Sequence, residues 1–116
     1  MTLIDEYLEY QNNFEKKYGV NTIVLMQVGH FYEAYGVSNE VEKTNSANMT
    51  KLSDIMNIQM TRKNKNITGN NRHNPLMIGV NIYSIDKYIQ ILLNANYTIV
   101  LISQTSEAPY VKREVT

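Results

Sequence analysis

Residues 22–36 read Thr22-Ile23-Val24-Leu25-Met26-Gln27-Val28-Gly29-His30-Phe31-Tyr32-Glu33-Ala34-Tyr35-Gly36: an apolar run, a glycine, then a run rich in aromatics. The first run is continuous, β-branched and apolar, the pattern of a strand buried on both faces. Gly29 permits a bulge, a bend or a close backbone approach before a second strand, which Gly36 is expected to close. Side chains alternate across a strand, so Phe31, Glu33 and Tyr35 share one face and His30, Tyr32 and Ala34 the other. A large aromatic two residues from a carboxylate is a pairing suited to testing a base inside a distorted duplex. It is equally an ordinary half-buried strand.

Working outward, Leu3, Ile4, Tyr7, Leu8, Tyr10, Phe14 and Tyr18 recur at helical spacing with charged residues in the gaps, and Gly19 follows as a C-terminal cap. On the other side, Val37, Val41, Ala47, Leu52, Ile55 and Met56 predict a second helix within 37–57. Its polar middle, Thr44-Asn45-Ser46, marks a break or a preceding loop. Residues 58–61 read as a short strand, and 63–74 as an Asn-rich loop ending at Pro75. Residues 76–80 form a third apolar strand. Ser84 is the expected N-cap of an amphipathic helix carrying Ile85, Tyr88, Ile89, Leu92 and Leu93, with Asp86 in its first turn. Residues 97–103 are a further buried strand, and 110–115 alternate as an edge strand does. Strands alternating with helices give α/β: a mixed sheet of about five to six strands flanked by helices, over a single domain spanning 1–116.

The chain has 116 residues, 11 basic and 11 acidic, and therefore a formal charge of zero. Any nucleic-acid contact must come from local clustering rather than from the whole-chain field. There are no cysteines, which excludes disulfides and thiolate metal sites and fits an intracellular protein. Neither a signal peptide nor a run near the roughly 20 apolar residues of a membrane helix is visible. An excess of Asn, Ile, Tyr and Lys points to an AT-rich source such as a large DNA virus, a bacterium or an organelle. Glycine-rich phosphate loops and nucleophile settings are missing. His30 and His73 have no partners at ligand spacing, so no metal site is expected. Glu40 and Glu42 with Lys43 resemble part of a metal-dependent nuclease site, but no Asp precedes them on a strand, and a solvated helix face is the plain reading. Charge segregates more clearly elsewhere. No acid lies between Ile55 and Ile85, where Arg62, Lys63, Lys65 and Arg72 are interleaved with Thr, Asn and Gln. Those residue types contact phosphates and sugars, although a solubilising loop has the same composition.

With these residues in view, the chain resembles the N-terminal mismatch-recognition domain of the MutS family of DNA mismatch-repair proteins. Gly29-His30-Phe31-Tyr32-Glu33 is similar to the family's Gly-Asp-Phe-Tyr-Glu, which also follows an apolar strand. Asn57-Ile58-Gln59-Met60-Thr61-Arg62-Lys63 resembles its Asp-Ile-x-Leu-Thr-Lys-Arg segment. The stretch from Pro75 to Val80, running on to Ile89, resembles its Pro-Met-Ala-Gly block and the helix after it. Ile99 to Thr105 resembles Val-Ala-Ile-Cys-Glu-Gln, and Val111 to Thr116 the closing Arg-x-Val-Thr. His30 in place of the family Asp, Asn81-Ile82-Tyr83 in place of Pro-Tyr-His, and the long Asn-rich loop mark a divergent member.

The resemblance implies that Phe31 enters the minor groove and stacks on a mispaired base while Glu33 hydrogen-bonds it. Arg62, Lys63 and Lys65 would contact the DNA backbone. The partner would be double-stranded DNA with mismatches or small loops, with no membrane involved. The domain itself would be neither an enzyme nor a cofactor carrier. ATP, Mg and dimerisation would belong to later domains of a longer parent protein. A metal-dependent nuclease-like domain and a protein-interaction module retaining the fold are the alternatives.

Overall fold

The computed structural model describes residues 2–104 and the backbone of 113–115. Helix α1 (Leu3–Tyr18) begins at Thr2, whose hydroxyl oxygen accepts from the Asp5 N–H. Asp5 and Glu6 in its first turn and Lys16 and Lys17 in its last complement the helix dipole. Gly19 ends it at φ 107°, where a side chain is strained, and returns its N–H to Glu15 O at 2.8 Å. Strand β1 (Thr22–Val28) follows, then the two-residue turn Gly29-His30 and strand β2 (Phe31–Ser38). Gly29 takes φ 62°, as the first central residue of a tight hairpin turn requires.

Next come β3 (Lys43–Thr44), α2 (Ser46–Met56), β4 (Thr61–Arg62) and β5 (Leu76–Asn81). A 3₁₀ turn (Ile82–Ser84) leads into α3 (Ile85–Asn94), and β6 (Thr98–Gln104) and β7 (Arg113–Val115) complete the order. The sheet runs β4-β5-β2-β1-β6-β7, with β3 paired to β2. Only β1 and β6 are parallel among these pairings, so the sheet is mixed and the fold α/β as expected. Among the described residues, no helix is long and apolar enough to cross a membrane.

Helices cover both faces. Gly36 points at α2, where a Cβ would lie 2.8 Å from Met49 Cγ and 3.1 and 3.2 Å from the Asn45 and Thr44 carbonyl oxygens. Alternation puts Tyr35 on the opposite face, where it meets Tyr7 of α1 edge-on at 5.2 Å. The β1–β2 ladder reaches only as far as Met26 and Glu33. Beyond that point α1 supplies the missing partners. Gln11, 2% exposed, donates to Thr22 O and accepts from Val24 N–H, each at 2.8 Å, and the Tyr7 hydroxyl donates to Val24 O at 2.8 Å. Side chains thus replace a strand partner, as buried backbone groups demand.

Several sequence expectations are corrected. Gly36 does not close β2; it lies inside the strand because only glycine fits beneath α2. The helix expected within 37–57 occupies only Ser46–Met56, beginning at the polar Thr44-Asn45-Ser46 break, while Val37, which shares its apolar spacing, and Ser38 finish β2 and pair with β3. The helix starts only after Asn45, which takes the left-handed φ 58° and gives its side-chain N–H to Tyr35 O at 2.9 Å. Glu40 and Glu42 therefore lie on the β2–β3 connection, not on a helix face. The strand expected at 58–61 is displaced to Thr61–Arg62, where β5 offers a partner. Ser84 occupies the α3 N-cap but makes no side-chain cap bond, because the chain has already turned in a 3₁₀ segment capped by Asn81. Of the expected edge strand at 110–115, Arg113–Val115 pairs with β6, and 110–112 lie outside the described residues.

Candidate nucleic-acid interface

The β1–β2 turn carries the two residues singled out in the sequence to an open end of the sheet. Phe31 starts β2 and is 46% exposed, against 0% for Ala34, Tyr35 and Val37 farther along the strand. Glu33 lies on the same face, and pairs with Gly79 of β5. That glycine leaves the floor beneath the carboxylate open, and a Cβ there would stand 3.6 Å from Glu33 Cγ and 3.8 Å from Oε2. Phe31, Glu33, Ile58, Gln59, Thr61, Met77 and Gly79 line an open cleft of about 260 Å³.

The turn is held from both flanks. His30 O accepts the Ile82 N–H at 2.9 Å, on the β5 side. On the β6 side, Gly29 N–H donates to Gln104 Oε1, and Gln104 N–H donates in turn to Gln27 Oε1 at 2.8 Å. Tyr32, on the buried face of β2, shares a 2.8 Å hydrogen bond with Ser103. An exposed aromatic side chain therefore projects from a turn whose backbone is bonded on both sides, so the point from which it reaches out is held before any ligand arrives.

Tyr35 belongs to this site although composition gave no reason to name it. Its hydroxyl donates to Glu33 Oε1, and Lys63 Nζ lies 3.4 Å from the hydroxyl oxygen and 5.0 Å from the ring centroid. The available signal was the shared face of Glu33 and Tyr35, two residues apart.

The basic segment divides. Lys63 reaches the Glu33 side of the sheet through Tyr35. Arg62 instead ties the loop that follows it, donating from Nε to Ile67 O at 2.7 Å and from Nη2 to Lys65 O at 3.1 Å. Lys65 is exposed on that loop. Arg72 is drawn away altogether, bonding Asp5 at 2.9 Å and Glu42 at 2.8 Å. The guanidinium holds both carboxyls below their ordinary range. Glu42 is thereby occupied, also accepting from the Thr44 hydroxyl at 2.8 Å. Among the described residues no three acidic or histidine side chains converge as metal ligands.

The loop at 63–74 is more ordered than its composition suggests. Asn74, 2% exposed, accepts from Asn64 N–H at 2.8 Å and donates to Gly69 O at 2.8 Å, Ile67 O at 3.1 Å and Asn64 O at 3.2 Å. Asn70 accepts from Ser38 N–H at 2.6 Å and so fastens the loop to the end of β2. Lys63 N–H donates to Pro75 O at 2.9 Å, closing the neck.

Residues 6–116 match the family model described as MutS domain I. A mutS homologue of Acanthamoeba polyphaga mimivirus, named as a DNA mismatch repair protein, is 33% identical over 114 residues. That alignment covers 97% of this chain and 10% of the viral protein. The DNA mismatch repair protein MutS of Thermosipho melanesiensis is 28% identical over 100 residues, covering 83% of this chain and 10% of that protein. The chain thus spans about a tenth of the length of these relatives. By these matches the chain belongs to the MutS family and corresponds to its domain I.

Proposed function

We propose that this chain senses mispaired DNA as the first domain of a longer mismatch-repair protein. The observation that carries the reading is the half-exposed Phe31 ring beside the Glu33 carboxylate, on a turn anchored from both sides. Phe31 is the wedge that enters the minor groove and stacks on one base of the mispair, and Glu33 accepts a hydrogen bond from that base. Lys63 and Lys65, with Arg62 in support, meet the backbone phosphates. Stacking of an aromatic on a base contributes about 1–3 kcal/mol. Bending a short site costs roughly 1–6 kcal/mol. The wedge alone therefore does not offset the bend in every duplex, and a mispaired step, already easier to unstack, is favoured over a matched one. Deformability, more than base identity, is what is read. ATP and Mg, dimer formation and the repair response belong to the rest of the parent protein.

The test is Phe31→Ala in that full-length protein, titrated against fluorescent duplexes with and without a G·T mispair. Mismatched binding falls by roughly fivefold to a hundredfold, the equivalent of the lost stacking, and the mismatch preference disappears. Equal discrimination by variant and wild type refutes the proposal.

A further inference from the structure

We infer that Tyr35 is a positioning residue for Glu33, fixing one carboxylate oxygen so that the other faces the mispaired base. The role rests on the mismatch-sensing reading above and adds a mechanism to it. Tyr35 is fully buried, and its ring is held edge-on against Tyr7 at 5.2 Å and 86°. The phenol is therefore a fixed post. Its hydroxyl donates to Glu33 Oε1, and the Lys63 ammonium approaches the hydroxyl oxygen at 3.4 Å, completing a chain of donors Lys63 to Tyr35 to Glu33. Lys63 is itself held by its backbone bond to Pro75 O at 2.9 Å.

Glu33 Oε2 lies near Gly79, where a Cβ would stand 3.8 Å from it, and Glu33 and Gly79 both line the open cleft beside Phe31. With Oε1 accepting from the phenol, Oε2 is the carboxylate oxygen left to face a ligand. The ligand chemistry that fits is a base edge offering an N–H donor, an imino or amino group, within reach of the ring stacked on Phe31. A long acidic side chain that is free in solution loses rotamer freedom when it binds, and one already held loses less. Tyr35 makes that saving before DNA arrives.

The experiment is a double-mutant cycle in the full-length protein with Tyr35→Phe, Glu33→Ala and both together. Each protein is titrated by fluorescence anisotropy with a G·T-mispaired duplex and a matched duplex of the same length. Tyr35→Phe keeps the buried ring and removes only the hydroxyl. The ratio of mismatched to matched affinity falls about threefold to tenfold when Glu33 is present, the worth of one hydrogen bond, and does not change in the Glu33→Ala background. Lys63→Met, altering an exposed side chain, likewise lowers the ratio only while the Tyr35 hydroxyl is there to receive it.

An equal Tyr35→Phe effect in both backgrounds means that Tyr35 acts through packing, and overturns the inference. So does an unchanged ratio in Tyr35→Phe alongside a lost ratio in Glu33→Ala, which leaves the mismatch reading intact. If Phe31→Ala and Glu33→Ala both keep the wild-type ratio, the mismatch reading and the positioning role fall together.

Discussion

Asn74→Asp changes one amide to a carboxylate of the same shape, in the knot that orders residues 63–74. The aspartate keeps an oxygen for Asn64 N–H, the 2.8 Å bond, but places its second oxygen against the carbonyls of Gly69, Ile67 and Asn64 at 2.8–3.2 Å. An amide has two N–H donors, so those carbonyls share two hydrogen bonds. At about 0.5–1.5 kcal/mol each, with buried acceptors left unmet, the expected loss is roughly 2–4 kcal/mol. Local opening of the loop limits how much of this reaches global stability. The new carboxyl, buried among acceptors, has its pKa raised, because only its protonated form can donate. Its folded value then exceeds its unfolded value of about 3.9. The variant therefore loses least below that unfolded value, and the deficit grows as pH rises through the raised folded one. Urea unfolding at pH 4 and pH 7 measures this, together with hydrogen exchange at the Ser38 amide, which Asn70 caps from the loop. An unchanged midpoint and unchanged Ser38 protection at pH 7, or a larger deficit at pH 4, refutes the reasoning.

Two further outcomes follow from the polar contacts. Gln11→Leu removes the side-chain partner of the buried Val24 N–H and, among the described residues, leaves Thr22 O a 3.4 Å contact from Asn48, and lowers stability by about 2–4 kcal/mol. An unaltered urea midpoint would show that β1 finds other partners. Arg72→Met removes the ion pairs that depress the Asp5 and Glu42 carboxyls below their ordinary values of 3.8 and 4.5. Groups with depressed folded pKa stabilise above their unfolded values and lose that contribution as pH falls through the folded ones. The wild-type advantage over Arg72→Met is thus fully present above about pH 5 and fades in acid, and it is modest because the side chains are partly solvated. A gap that widens in acid contradicts the assignment.

The sequence makes some parts of this protein legible and hides others for identifiable reasons. The bounds of α1 follow from a helical stripe and a terminal glycine, and β1 from an unbroken apolar run. The shared face of Phe31 and Glu33 follows from the strand period. Gln11 reads as one polar gap in an amphipathic helix, because nothing local reveals that β1 and β2 separate above it. Val37 and Val41 mimic a helical interval, and the pairing of Lys43 and Thr44 with β2 overrides them. Arg72 reads as part of a basic loop because its partners, Asp5 and Glu42, are remote in the chain. Lys63 meets Tyr35 only because β5 stands between β4 and β2, an order that composition cannot supply.

The parallel pairing of β1 with β6 has a consequence in time. Its β2 flank closes through a two-residue turn, an event of about 1–10 μs in an isolated hairpin. The other flank joins Thr22 to Thr98 and must wait for the chain between them to be laid down, since distant contacts carry a larger closure entropy. Gln104, which bonds Gly29 at the base of the Phe31 turn, arrives with that late strand. Local closure is thus expected to bring the hairpin together early, and the bond from Gln104 to stiffen it later. The β6-side anchor of the aromatic tip is therefore expected to form later than the turn itself, after the β5-side bond from Ile82 is within reach.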